Sequence, residues 1–209
     1  MGNCQSYYKF GLQKLNYKSA QDLYERLYLR AIIDTYERID KSPDIENNIR
    51  NRFIWDLERV NPLTKTLIDN NILQLDFERP HFVTESEMRR TDIVFFISGF
   101  ENFVIECKCL YQKPSKNNAY FNDGLIRYVD LRYAERNRFA GMIGFVISGN
   151  VSEILNTTKN NAVNFHRSST LIIENQVNFN WEHSFVSFHQ RTNNEDILIY
   201  HLLFPFSQQ

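Results

Sequence analysis

Two apolar runs separated by five residues constrain this chain more than any other feature. They are Thr91-Asp92-Ile93-Val94-Phe95-Phe96-Ile97 and Phe103-Val104-Ile105-Glu106-Cys107-Lys108-Cys109-Leu110. Both have strand length and are rich in β-branched and aromatic residues. The Ser98–Asn102 connection is too short for a crossover helix, so the two runs are expected to form an antiparallel hairpin. Side chains alternate along a strand. Glu106 and Lys108 therefore share one face, while Ile105, Cys107 and Cys109 share the other, core-directed face. Unpaired charges inside a run built for burial are costly. These two need partners, and Asp92, which opens the neighbouring strand, is the natural one.

The rest of the chain supplies cover for that hairpin. Ser19-Ala20-Gln21-Asp22 reads as an N-capped helix start. Leu23, Leu27 and Ala31 recur on one face beside Tyr24 and Tyr28, and the helix runs to about Asp40. Its tyrosine-rich face is a candidate partner surface or cap. Ser42-Pro43 opens a second helix, with Ile45, Ile49, Phe53 and Leu57 as its buried stripe and Glu46 at the stripe's edge. Residues 72–77 read as a strand stopped by Pro80, 122–138 as a third helix, and 141–148 as a central strand. Residues 151–160 read as a short helix, with further strands at 171–174, 184–188 and 197–203. The resulting order is α-α-β-β-β-α-β-α-β-β-β, an α/β fold with a mixed β-sheet flanked by helices.

Two carboxylates and a lysine on one hairpin suit a hard cation. Mg²⁺ prefers oxygen ligands and keeps several waters. Asp92, Glu106 and the backbone carbonyl of Cys107 are the expected ligands. A metal there offsets charge on phosphorus oxygens and lowers the pKa of a bound water. Lys108 orients that water and stabilises the transition state.

Asp92 followed by Glu106-Cys107-Lys108, with the helix acid Glu46 in Asp44-Ile45-Glu46-Asn47-Asn48-Ile49, resembles the PD-(D/E)xK nuclease superfamily. The resemblance spans about residues 42–148. Thr91 stands where the family name has proline, and Gly124-Leu125-Ile126-Arg127-Tyr128 stands where the exonuclease branch carries Gln-x-x-x-Tyr. The resemblance implies a restriction-endonuclease-like fold over residues 42–209, preceded by an N-terminal helical extension, residues 1–41. It also implies a Mg²⁺-dependent phosphodiester hydrolase, most simply a DNA endonuclease of a restriction or anti-phage defence system, with Mn²⁺ as an alternative ion. The expected catalytic residues are Asp92, Glu106, Lys108 and Glu46, and the resemblance implies that Glu46 joins Asp92, Glu106 and the Cys107 carbonyl at the metal. A homodimer or a partner protein would supply target choice. The alternatives are a non-catalytic nucleic-acid or protein-binding module on the same fold, and RNA as the cleaved polymer.

Charge placement fits a polyanion. The chain's net charge is −1, which excludes a histone-like binder, yet residues 108–138 carry seven basic and three acidic side chains. Arg89 and Arg90 add to that end. Arg127, expected just inside a helix N-terminus, is the first choice for a phosphate contact, with Lys113, Lys116 and Arg132 beside it.

Bland readings stand next to these. Glu-x-Lys on a strand is, alone, an ordinary surface ion pair. Glu46 could be a solvated helix acid, and Arg127 could pair with Asp123 at helical spacing. Tyr128 reads as packing. Cys107 and Cys109 lack a second pair for zinc. His166, His183, His189 and His201 read as structural, the last pair as cross-strand neighbours. Glu85 and Glu87 read as solvated loop acids. Three cysteines in all, Cys4 included, fit a reducing cytosol and a cytoplasmic protein. No run reaches the ~20 apolar residues of a membrane span. Met1-Gly2-Asn3-Cys4-Gln5-Ser6 fits the loose myristoylation pattern, a motif common by chance and here followed by no polybasic patch.

Overall fold

The computed structural model describes residues 12, 14–77, 79–82, 88–165 and 179–206, with only the backbone path for 79–82 and 88–90. Helix α1 covers residues 20–38 as Ala20–Leu23, a π-helical stretch Tyr24–Leu29, and Arg30–Arg38. Then come α2 (Glu46–Arg59), α3 (Pro62–Asp69), β1 (Leu73–Asp76), β2 (Arg79–Phe82), β3 (Met88–Thr91), β4 (Ile93–Ile97) and β5 (Phe103–Leu110). Helix α4 covers residues 120–129, opening as a π-helical stretch. β6 (Phe139–Val146), α5 (Val151–Val163), β7 (Ser184–Gln190) and β8 (Asp196–Pro205) follow. Six strands form one open sheet in the order β1-β4-β5-β6-β8-β7, and β2-β3 form a separate ribbon. The β1-β4, β4-β5 and β7-β8 pairs are antiparallel; β5-β6 and β6-β8 are parallel. The chain is thus mixed α/β, with helices on both faces of the sheet.

The hairpin explains the layering. Gly99, at φ 88°, supplies the left-handed turn that returns the chain from β4 to β5. Ile93, Phe95, Phe103, Ile105 and Cys107 then face one core, against α1 and α2. Val94, Val104 and Leu110 face the other, against α4 and α5. Tyr28 stacks on Phe95 at 4.5 Å between ring centroids, and Tyr24 on Phe103 at 4.7 Å. Such pairs contribute roughly 0.5–1.5 kcal/mol beyond their area burial. The tyrosine face of α1 is therefore spent inside the chain, and the partner-surface reading of it fails.

Several boundaries move for physical reasons. α2 begins at Glu46, not at Pro43, because Arg52 holds the Ser42 carbonyl and the Asp44 carboxylate in an extended lead-in. Ile45 becomes the exposed N-cap residue and leaves the stripe to Ile49, Phe53 and Leu57. α3 was not anticipated, although Asn61 caps it by accepting from the Leu63 N–H and Pro62 sits in its first turn. Pro80 lies inside β2, opposite Arg90 in a two-stranded ribbon, where a missing N–H is tolerated. α4 stops at Val129, well short of 138, since Arg132 and Tyr133 both donate their N–H groups to the Arg127 carbonyl. The 1–6 motif with Cys4, the residues Glu85, Glu87 and His166, and the run at 171–174 lie outside the described residues. Among the described residues no helix is long and apolar enough to cross a membrane.

Candidate functional site

The site is built on an overhang. β4 pairs with β5 only from Phe95↔Phe103 to Ile93↔Ile105. Beyond Ile105, β5 continues to Leu110 with, among the described residues, a strand (β6) on one edge only. The chain reaches β4 through a bend at Asp92, just after β3. The unpartnered edge of β5 must satisfy its backbone by other means. Asp92 Oδ2 accepts from the Cys107 N–H at 2.7 Å, and Glu46 Oε2 accepts from the Cys109 N–H at 3.1 Å. The Cys107 carbonyl between them accepts from Lys108 Nζ at 2.8 Å. Two acids from distant segments thus take the place of a neighbouring strand, and this brings Glu46 of α2 beside β5.

On the same edge, Lys108 Nζ donates to Glu106 Oε1 at 2.7 Å and approaches Glu46 Oε1 at 3.5 Å. Arg127 Nη1 donates to the same Glu106 oxygen at 2.7 Å and to the Tyr133 hydroxyl at 2.8 Å. Its guanidinium lies over the Tyr133 ring, 5.2 Å from the centroid. Arg50 Nη1 donates to Asp92 Oδ1 at 2.6 Å. Continuing the register past Ile93↔Ile105 sets Asp92 across from Glu106. Three carboxylates therefore meet three cations, and the cluster is balanced.

Burial sharpens the electrostatics. The Glu106 side chain is 1% exposed. Burial first, then the Asp92 charge, push its carboxyl up to about 7, against the pull of Lys108 and Arg127. Burial alone would lower Lys108, but Glu106, Asp92 and Glu46 outweigh it and hold the ammonium above its ordinary value. Burial and Glu106 push the Tyr133 hydroxyl up to about 12. Glu106 Oε2 is buried and has no hydrogen-bond partner among the described residues. An anionic oxygen in that state calls for a proton or a cation.

Asp92, Glu106, Lys108, Glu46 and the Cys107 carbonyl, all expected in the site, come together. Arg127 joins them, but from the last turn of α4 rather than from a helix N-terminus, and its hydrogen bonds go to Glu106 and Tyr133, not to Asp123. Lys113 and Lys116 are exposed around the short turn Pro114–Lys116, with Lys116 Nζ 5.0 Å from the Tyr111 ring centroid. Arg132 is exposed and pairs with Asp130 at 3.0 Å. None of these three touches Asp92, Glu106 or Glu46. Arg50 and Tyr133 went unnoticed in the sequence. Arg50 follows Ile49, one residue off the buried stripe, and that placement was the available signal. Cys107 and Cys109 point into the core, as the alternation predicts. Tyr128 is buried packing whose hydroxyl donates to the Gly141 carbonyl at 2.9 Å. His189 and His201 are not directly paired; each instead meets Ser187 Oγ, at 2.8 and 2.7 Å. Among the described residues no group of three or more His, Cys, Asp or Glu side chains forms a ready metal cage.

The loop 130–138 closes one flank of the site. Leu131 and Ala134 hold φ of 58° and 52°, a left-handed conformation that costs about 1–2 kcal/mol per residue. Arg191, fully buried, supports it by donating to the carbonyls of Ala134, Glu135 and Asn137. The Asn137 amide ties the loop to the Tyr24 hydroxyl and the Asn102 carbonyl. A cleft of about 640 Å³ opens between this loop and residues 101–104. Compared with protein-family models, with curated proteins and with solved structures, the chain matches none.

Proposed function

We propose that the protein is a Mg²⁺-dependent phosphodiester hydrolase of the restriction-endonuclease-like type, acting on nucleic acid and most simply as a DNA endonuclease. The observation that carries this reading is the β5 overhang. Acids from a strand bend (Asp92), from β5 itself (Glu106) and from a helix (Glu46) converge on one strand edge with Lys108. The order α2-β1-β4-β5-α4-β6, with two antiparallel pairings and then a parallel one, also supports it. The donor set fits a hard cation at one point above all, the buried and unpartnered Glu106 Oε2, with Asp92 across from it and the Cys107 carbonyl alongside. A divalent ion bound there would offset charge on the phosphorus oxygens and acidify a bound water.

The chain's own residues carry the remaining work. Lys108 holds an ammonium at the strand edge, suited to orienting the attacking water and to stabilising the pentavalent transition state. Arg127 is partly exposed and reaches from Glu106 toward solvent, so its guanidinium can take a phosphate oxygen. Glu46 fixes the Cys109 backbone and keeps Lys108 within reach. With the cluster itself balanced, the charge of a divalent ion held by Glu106, Asp92 and the Cys107 carbonyl would be left to the anionic substrate to offset.

A second reading, a non-catalytic binding module, draws on the same balance: Arg50 on Asp92, and Lys108 with Arg127 on Glu106, could form a purely structural ionic cluster. The experiment is a Mg²⁺ cleavage assay on plasmid, linear duplex, single-stranded DNA and RNA, comparing the parent with Glu106→Ala. Metal-dependent cleavage is expected in the parent and none in the variant. Cleavage that survives Glu106→Ala removes the mechanism.

A further inference from the structure

The cleft between loop 130–138 and residues 101–104 has no role in the chemistry just described, yet it shares a wall with it. Val104 precedes Glu106 by two residues on the same face of β5, and Thr91 is joined directly to Asp92. Tyr133 lines the cleft and holds Arg127, which holds Glu106. Thr91 Oγ1 is buried and finds no hydrogen-bond partner among the described residues. Arg132 and Arg136 stand exposed on the loop side, and Glu101 and Asn102 bring a carboxylate and an amide from the other.

From this juxtaposition we infer that the cleft is a subsite for one unpaired nucleotide adjacent to the reacting phosphate, so that the protein selects single-stranded or locally unpaired nucleic acid over continuous duplex. This rests on the phosphodiesterase reading and deepens it. A volume of about 640 Å³ lies within the range of pockets that enclose a small ligand. A nucleotide turned out of its stack fits such a space, whereas a base-paired duplex, whose major groove alone is about 12 Å wide, does not enter it. The arginines supply phosphate contacts that set register. Glu101 and Asn102 offer acceptors and donors to the edge of an unstacked base. The wall is rigid before any ligand arrives, because Arg191 and Asn137 pin loop 130–138 through its own carbonyls and side chains. Preorganisation of that kind lowers the ordering cost of binding.

The test uses the full chain with Ca²⁺ in place of Mg²⁺, so that binding is read without turnover. Fluorescence anisotropy compares a labelled ten-nucleotide single strand with the same sequence as a blunt duplex, for the parent and for Glu101→Trp and Arg136→Glu, both at exposed positions. A thiopyrimidine placed in the strand reports the subsite by photocrosslinking. The single strand is expected to bind at least ~10-fold more tightly than the duplex. Each variant is expected to weaken it at least ~10-fold with an unchanged melting temperature, and the crosslink is expected within residues 131–137. Equal or tighter duplex binding overturns the inference, as does single-strand binding unaffected by both variants. Cleavage in Mg²⁺ that proceeds with such unaffected binding removes the subsite and keeps the hydrolase. Crosslinked, variant-sensitive binding without Mg²⁺ cleavage removes the hydrolase and keeps the nucleotide cleft.

Discussion

Arg127 and Lys108 donate to the same oxygen of Glu106, Oε1, each at 2.7 Å, and the second oxygen of that carboxylate is buried with no partner among the described residues. The asymmetry divides the side chain into a half already balanced by protein cations and a half available to something else. Lys108 is held by three acceptors, from Glu106, Cys107 and Glu46. It is therefore positioned before any substrate arrives.

Substituting Lys108 separates chemistry from binding. In Lys108→Ala the rate constant for metal-dependent cleavage is expected to fall by about 10²–10³-fold with little change in KM, as for loss of one preorganised electrostatic contact. Lys108→Arg is expected to recover only part of it, because the planar guanidinium cannot reproduce a point charge. Steady-state cleavage kinetics check both.

Arg50 is expected to be structural first. It is 4% exposed and bonds Asp92, itself 8% exposed. Arg50→Ala strands a buried carboxylate, which costs on the order of 3–5 kcal/mol. Urea denaturation should show that loss, and Arg50→Met with Asp92→Asn together should restore most of it.

The buried histidines set a pH dependence of stability. Burial lowers His189 to about 4 and holds His201 below its ordinary value, with His189 adding to the effect. Above about 6.5 the histidines are neutral in folded and unfolded chains alike. As pH falls from 6.5 toward 4, the unfolded chain binds protons that the folded chain refuses, and stability declines, by on the order of 3 kcal/mol for His189. Glu106 acts in the opposite sense, since its pKa rises from 4.5 to about 7 on folding and its contribution fades as pH rises through that window. Comparing the parent with His189→Gln in melts from pH 7.5 to 4.5 isolates the histidine part: the variant's curve should be flatter.

Arg191 is expected to govern the loop beside the site. Arg191→Met would leave the Ala134, Glu135 and Asn137 carbonyls without their guanidinium donors. The Ala134 carbonyl keeps the Asn137 N–H as a donor and the Glu135 carbonyl is only partly buried, so the loss should be about 1–3 kcal/mol, set mainly by the buried Asn137 carbonyl. Amide exchange at residues 134–138 should quicken more than in β5.

The hairpin and its charge alternation were readable because a strand's two-residue period fixes faces with no tertiary information. β5 begins and ends where the pattern places it, and Glu106, Lys108 and the two cysteines fall on the expected sides. Asp92 and Glu46 were readable as candidates, but their shared role as acceptors for the β5 backbone was not. That role depends on β4 starting at Ile93, opposite Ile105, so that β5 runs on without it from Glu106, a fact of register that no local pattern encodes. Arg50 and Arg191 escaped notice for a related reason: a buried arginine has no signature of its own and becomes intelligible only once the acceptors around it are assembled from distant segments. The pattern carries α4 on to 138 because left-handed residues such as Leu131 and Ala134 have no compositional signature.

β8 is made after both β6 and β7, yet it lies between them and exchanges hydrogen bonds with α1: Tyr36 donates to the Pro205 carbonyl, and Tyr200 donates to the Glu25 carboxylate. With synthesis at about 5–20 residues per second, the earlier segments wait seconds for the strand that fills the gap between β6 and β7. Over that interval the nascent chain displays the apolar edge of β6 and the inner surface of α1 to whatever chaperones are present. Quality control, rather than the mature fold, is then where small losses in early-segment stability would first be felt.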